Sequence, residues 1–405
     1  MHKPDNDGDS FQMKTASLES IKKLKKSVIY LALSQGYSIV LWRLPNQTKT
    51  NLLLSSNVKL VDDLAMEDCK PGFAFAPFAP SRPKHFFEAD HLFEISPDEI
   101  IETTHGQFLE QALRSEVANS KIKFHQTADG QSPNSNTIEW LLDLVKQSIQ
   151  AIEAGAFEKV VPSARKTIFI TEQFDLLKAF DDMSARYPSA MVSLVSDEKT
   201  GTWLGASPEL LVSVDRNGIF RTVALAGTQV YQDNILLRNI SWTQKEIEEQ
   251  ALVERYIISC FKKIRVREFD EHGPKTVQAG NLVHLKSDFE VDMKAVNFPL
   301  LGSVMLKLLH PTSAVCGMPM EASLNFLKQH EKHDREFYAG YLGPVNIENE
   351  SHIFVNLRCL KFGGDHLCLY AGAGVTIDSE AEMEVKEVEM KMEGVVSVIG
   401  KNGCR

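Results

Sequence analysis

Apolar residues recur at helical spacing in SLESIKKLKKSVIYLALSQG, from Ser17 to a stop at Gly36, and YSIVLWRLP then follows as a strand closed by proline. Ahead of them, residues 1–13 (MHKPDNDGDSFQM) are polar and aperiodic, which predicts a tail to which no function is assigned. The N-terminal third, residues 14–135, predicts a mixed layer of strands and helices. The run QTADGQSPNSN, Gln126 to Asn136, has the richest loop composition in the chain. Asn136 with Glu139 predicts a capped start for an amphipathic helix over Ile138 to Ile152. This is the best internal boundary, and residues 136–400 are expected to form a catalytic region within one compact domain that includes the N-terminal portion.

Beyond it the period changes to two. MVSLVS, DEKTG, TWLGAS, ELLVSV, DRNG and IFRTVALAG predict a meander, as do HIFVNLRCLKF, GGDH and LCLYAGAG. Helical patterns interrupt it at Thr243 to Ile264, Leu300 to Leu309 and Ala381 to Val395. Runs of strands with helices set apart predict an α+β fold with a large, mostly antiparallel core and helices packed outside. No GxGxxG follows a strand and no P-loop is present, so neither nucleotide-binding fingerprint supports a doubly wound sheet.

The 405 residues are 43% hydrophobic and 24% charged, ordinary values for a globular protein. Lysine plus arginine number 44 against 54 acidic residues, a net charge of −10 that disfavours nucleic-acid backbones as partners. The six cysteines are scattered without a CxxC pair, which predicts reduced thiols and a cytoplasmic setting. The apolar stretch Ser27 to Trp42 lacks a cleavage site and is too polar for a span, so neither export nor a membrane is expected.

Chemistry concentrates in a few positions. In the last helix Glu384, Glu387 and Lys391 fall at i, i+3 and i+7 and share a face beside the stripe Val385, Val388, Met392 and Val395. They read either as a solvated charged edge or as a metal edge. Glu249 heads the apolar stripe Leu252, Val253, Tyr256, Cys260 and Ile264, so its carboxylate needs a buried partner or a cation. Were these glutamates to converge, their all-oxygen donors would suit Mg2+. Arg358 lies in HIFVNLRCLKF, where a strand covered on both faces would oblige the guanidinium to find an anion, either a protein carboxylate or a substrate one. Lys159 opens a strand pattern in FEKVVPSARK; it reads as a solvated lysine or, near a metal, as a general base. Glu209, after the proline of GASPELLVSV, reads as an exposed strand end or as a protonated general acid. Glycines at Ala226-Gly227-Thr228 and Ala371-Gly372-Ala373-Gly374 would let backbone N–H groups approach an anion, or simply turn the chain. His310 in LHPTSAVCG reads as a ligand contact or a helix-end histidine.

The motifs KVVPSAR, GASPELLV, ALAGT, KEIEEQALV, LHPTSAVCG, REFYAGYLG, NLRCLKF and YAGAGVTIDSEAEMEVKEVEMKM occur in this order between about Ile138 and Val398. Together they resemble the chorismate-utilising enzymes, which include isochorismate synthases, salicylate synthases and the component I subunits of anthranilate and aminodeoxychorismate synthase. The resemblance implies a two-sheet layered fold, a small-molecule partner in chorismate, a monomer, and Mg2+ as cofactor. It implies Glu249 and Glu387 as metal carboxylates, with Glu384 supporting them through water. Arg358, Tyr338, Lys391 and the Gly374 backbone would hold the enolpyruvyl carboxylate, Gly227 and Thr228 would meet the ring carboxylate, and His310 would line the pocket.

Two positions depart from the family pattern. Its usual Glu-His pair is Glu249-Gln250 here, and the arginine after AGT is Gln229. The branch rests on Lys159, a lysine that in isochorismate-forming members activates water. The expectation is therefore an isochorismate synthase in which Lys159 is the base and Glu209 the acid, serving menaquinone or catecholate siderophore synthesis. A salicylate synthase shares these residues; an amination-branch component I and a non-catalytic paralogue are the remaining alternatives.

Overall fold

The computed structural model describes residues 11–14, 18–104, 106–115, 121–127, 137–231, 235–279, 282–400 and 403. Residues 1–10 of the expected tail, and most of the expected loop including Asn136, lie outside them. Within that tail, Phe11–Lys14 form a strand paired with Glu99–Glu102, a correction to the sequence reading. Four residues carry too short an alternation to be read, and they cover a sheet edge that would otherwise be open.

Two large sheets dominate the described residues, and every pairing in them is antiparallel. The ten-stranded sheet runs Phe11–Lys14, Glu99–Glu102, His91–Ile95, Thr50–Ser55, Ser38–Arg43, Met191–Asp197, Gly201–Ser207, Cys359–Phe362, His366–Gly372, Ser163–Phe169. The nine-stranded sheet runs Asp270–Ala279, Leu282–Asp292, Ile219–Val230, Leu210–Val214, Ser351–Val355, Tyr341–Val345, Gly72–Ala76, Lys84–Glu88, Val58–Val61. Their facing sides meet in an aromatic seam, with Trp42 against Phe73 at 5.3 Å and Trp203 against Phe75 at 6.3 Å between ring centroids. Each buried ring of this kind contributes about 1.5–3 kcal/mol relative to exposure.

The helices Leu18–Ser34, Ile138–Glu153, Leu176–Arg186 and Ala381–Ile399 contact strands of the ten-stranded sheet, while Gln244–Lys263 and Leu301–Leu309 contact the nine-stranded one. The fold is α+β with its helices outside, as the strand-then-helix pattern predicts. Thr137, not Asn136, holds the N-cap position of Ile138–Glu153, and its side chain makes no capping bond to the helix. Its hydroxyl is occupied by the Arg165 N–H at 2.7 Å, which ties the helix entry to Ser163–Phe169. Gln244–Lys263 starts where Glu246 reaches back to accept the Thr243 N–H at 2.7 Å, one arm of a capping box.

Neither expected meander stays in one sheet. The chain leaves the ten-stranded sheet after Ser207, crosses at Pro208-Glu209 and enters the other at Leu210. HIFVNLRCLKF likewise divides: Ser351–Val355 lies in the nine-stranded sheet, Cys359–Phe362 in the ten-stranded one, and Asn356-Leu357-Arg358 crosses between them. Arg358 therefore does not alternate with Phe354 and Leu360 on one strand face, as the sequence pattern implies. It takes φ +48°, a left-handed conformation uncommon for any residue with a Cβ and sustained by its surroundings. The two crossings run side by side, because the Val355 N–H donates to the Glu209 carbonyl at 3.0 Å and the Ala206 N–H to the Arg358 carbonyl at 3.3 Å.

Candidate active site

Where the chain changes sheets, a cavity of about 790 Å³, counting its open mouth, lies between the crossings and the helices Gln244–Lys263 and Ala381–Ile399. Glu209, Gly227, Thr228, Glu249, Tyr338, Arg358, Gly374, Glu387 and Lys391 all line it.

Lys159 stands just behind this wall. Its side chain is wholly buried, and Nζ donates to Glu249 Oε1 at 2.8 Å. Burial pushes the Glu249 carboxyl up, but the Lys159 ammonium, backed by Lys245 and Lys391, outweighs it and holds the group below its ordinary value. Gly374 makes this pair possible: a Cβ there would collide with Glu249 Oε1 and lie 3.0 Å from the Lys159 Cε.

Glu209 is buried on the first crossing, and burial raises its carboxyl to about 7 against the opposing pull of Lys159, a Thr312 hydrogen bond and Lys391. Near neutral pH it is therefore a proton donor. Lys391 donates to the Gly372 carbonyl at 2.9 Å and pairs with Glu387 at 2.7 Å. Tyr338 stacks on Tyr370 with centroids 5.6 Å apart, and burial raises its hydroxyl above the ordinary phenol range.

Gly227 sits in a bulge where the register of Ile219–Val230 shifts between Ala226 and Gln229, and its φ of +64° favours glycine. Its carbonyl takes a hydrogen bond of 2.9 Å from His284 Nδ1, while His284 Nε2 faces Arg358 Nη2 at 3.0 Å. Arginine has no acceptor, so His284 is the Nδ1–H tautomer and accepts at Nε2. Burial, and then the Arg358 charge, lowers its pKa to about 3 and keeps it neutral. His284 lines the cavity and was not among the residues singled out from sequence. The only signal for it is a polar residue interrupting the apolar start LVHL of this strand, which a satisfied core histidine would give equally.

Two expected site residues stand away from the cavity. His310, expected to line it, bonds the Pro77 carbonyl through Nε2 at 3.1 Å, packs edge-on against Tyr341 and lines a different cleft with Lys84 and Met320. The helix Leu301–Leu309 ends at this residue and turns its ring into the core instead. Glu384 falls in the buried stripe with Val388, Met392 and Val395 and pairs with Lys245. Burial and the neighbouring Glu387 charge raise its carboxyl, against the pull of Lys245.

Residues 89–400 match the family described as chorismate binding enzyme. The chain belongs to that family. Among curated chorismate-binding relatives, isochorismate synthase EntC of Escherichia coli K12 is 30% identical over 273 residues, 66% of this chain and 68% of that protein. The vibriobactin-specific isochorismate synthase of Vibrio cholerae is 28% identical over 203 residues, 49% of this chain and 50% of that protein. Isochorismate synthase MenF of Haemophilus influenzae is 26% identical over 272 residues, covering 64% of this chain and 60% of that one. The chain thus spans between half and about two thirds of the length of these relatives. In solved structures, the chorismate-binding fold extends over nearly the whole chain. The menaquinone-specific isochorismate synthase MenF of Escherichia coli superposes with TM-score 0.73 at 20% identity over 96% of this chain and 94% of that one. Anthranilate synthase component I of Streptococcus pneumoniae gives TM-score 0.65 at 16% identity, over 98% and 94%.

For this chorismate-binding chain the implied Mg2+ can be tested against the donors present. Glu249, Glu384 and Glu387 offer only oxygen, the chemistry Mg2+ takes. Glu384 Oε2 is buried with no hydrogen-bond partner, an acceptor left for a cation or water to satisfy. Each carboxylate is otherwise balanced by one lysine, Lys159, Lys245 or Lys391. Among the described residues no three His, Cys, Asp or Glu side chains form a ready cage. The donor set therefore fits an ion held by one or two carboxylates and completed by substrate and water oxygens. No helix among the described residues is long and apolar enough to cross a membrane.

Proposed function

We propose that this chain is an isochorismate synthase, converting chorismate to isochorismate by adding water at ring C2 with loss of the C4 hydroxyl. What supports the reading is one cavity that holds a buried carboxyl of pKa about 7, Glu209, together with Lys159 behind its wall. An acid and a base of this kind suit a reaction that removes a proton from water and returns one to a leaving hydroxyl. Lys159 first releases its ammonium proton to solvent and, as the neutral amine, takes the proton from the water that forms the C2–O bond; the ring double bonds shift, the C4–O bond breaks, and Glu209 delivers its own proton to the departing oxygen. Arg358, held by His284, is the fork for the enolpyruvyl carboxylate, with Tyr338 and Lys391 beside it. The bulge at Gly227 and Thr228 presents backbone to the ring carboxylate. Glu249 and Glu387, with Glu384 supporting, would hold Mg2+, which supplies positive charge to the substrate carboxylate and orients the ring.

The family leaves water and ammonia open as nucleophiles, and the lysine at position 159 favours water. The pathway served is menaquinone or catecholate siderophore synthesis in the cytoplasm, with the protein acting as a monomer.

The test is to incubate purified protein with chorismate and Mg2+, with and without ammonium, separate the products and assay pyruvate. Isochorismate without pyruvate is the expected result. Salicylate with stoichiometric pyruvate would make the chain a salicylate synthase, an ammonium-dependent aminated product would overturn the role of Lys159, and no turnover would mark a non-catalytic paralogue. EDTA should abolish turnover and Mg2+ restore it; activity indifferent to EDTA would remove the metal from the reading.

A further inference from the structure

The strand Ile219–Val230 loses one neighbour before it reaches the cavity. Its pairing with Leu210–Val214 extends only from Phe220 to Arg221 and leaves the edge at Ala224 and Ala226 without a strand. The Gln250 side chain, almost wholly buried, takes that place. Its Oε1 accepts the Ala226 N–H at 3.0 Å, and its Nε2 faces the Ala224 carbonyl at 3.4 Å, the two contacts a neighbouring strand would make. Glu254 Oε1 at 3.1 Å and Ser287 Oγ at 3.3 Å complete the surroundings of the amide nitrogen and fix which end of the amide is which. Beyond the bulge a second amide repeats the attachment: Gln229 Nε2 donates to the Ser241 carbonyl at 3.1 Å and to Glu246 Oε2 at 3.3 Å. The two positions that depart from the family pattern thus grip the same Ala226-Gly227-Thr228 bulge from either side. Both tie it to the helix Gln244–Lys263 or its entry, and that helix carries Glu249.

We propose that Gln250 is a positioning residue, seconded by Gln229, whose uncharged amide sets the distance between the Gly227-Thr228 backbone and Glu249 and so fixes where the ring carboxylate of the substrate rests. This rests on the function reading above. Gln250 touches neither substrate nor reacting atoms; it acts through the bulge. An amide is suited to the task because it supplies an acceptor and a donor together, which an apolar side chain of the same volume does not.

The test compares the wild type with Gln250→Met, which keeps the volume, and with Gln229→Met, at a half-buried position where folding is not at stake. Amide hydrogen exchange without substrate and steady-state kinetics on chorismate are read together. Gln250→Met is expected to speed exchange about tenfold at residues 224–229 while the rest of the sheet is unchanged, and to raise KM about tenfold with kcat held within about threefold. Gln229→Met should move both in the same direction by less. Unchanged exchange in the Met variants would overturn the clamp, and faster exchange with an unchanged KM would reduce it to a structural contact. A wild type without turnover of chorismate would defeat the function reading and this role with it. An active wild type matched by its Gln250→Met variant would defeat this role alone.

Discussion

Lys159 Nζ and Glu249 Oε1 meet at 2.8 Å, so the residue assigned to water and a residue assigned to the cation are each other's partners. Removing one partner strands the other. Lys159→Met should cut turnover at least about a thousandfold and destabilise the fold by about 3 kcal/mol, the usual cost of a buried charge left alone. Adding Glu249→Gln should recover much of the melting temperature and none of the activity. Near-normal turnover in the single variant would remove Lys159 from the mechanism.

Glu209 makes a prediction in pH. Its carboxyl stands at about 7 in the folded chain against an ordinary 4.5, so between those values the folded state holds a proton the unfolded state has released. Its contribution to stability therefore falls as pH rises through that window, by up to about 3 kcal/mol, and changes no further above it. Subtracting the melting-temperature profile of Glu209→Gln from that of the wild type between pH 4.5 and 7.5 should isolate this slope. The kcat/KM of the wild type should have an alkaline limb near pH 7, and Glu209→Gln should lose about 10²–10⁴ in kcat.

His284 has the opposite sign. Its pKa of about 3 lies below the ordinary 6.5, so the unfolded chain binds the extra proton and this stability is lost as pH falls from 6.5 towards 3. His284→Leu should flatten that acid slope. It also removes the acceptor that holds Arg358, and the expected reading is a KM for chorismate raised about 10- to 100-fold, the worth of a hydrogen bond to a charged group. An unaltered KM would show that Arg358 keeps its place through other contacts.

Gly374→Ala should inactivate without replacing any ionisable group. The new methyl would clash with Glu249 Oε1 and press on the Lys159 Cε, forcing the Lys159–Glu249 pair to shift. Loss of turnover with an intact circular dichroism spectrum is the expected outcome, and wild-type kinetics would mean that the pair relaxes without cost.

Much of this was legible along the chain because period and composition are local. The helix Ala381–Ile399 shows its cavity face in the spacing of Glu387 and Lys391, though Glu384 joins the buried stripe instead, and the helix from Gln244 shows its misplaced acid at Glu249. What could not be read is where continuous strand patterns change sheet. Nothing in the alternation of HIFVNLRCLKF marks Arg358 as a left-handed break, because both halves are equally buried on their own sheets. His310 misled for a related reason: its motif neighbours approach the site, with Thr312 reaching Glu209, while its own ring turns towards Pro77. His284 was invisible because its importance lies in two partners, Gly227 and Arg358, 57 and 74 residues distant in sequence.

The side-by-side crossings at Glu209 and Arg358 give the molecule a mechanical axis. If one sheet slides or tilts against the other, displacement is small wherever a short covalent crossing stitches them together, here and at the turns Ser56-Asn57 and Ala89-Asp90. Glu209 and Arg358 stand on two adjacent stitches, so small relative motions of the sheets leave their separation nearly constant.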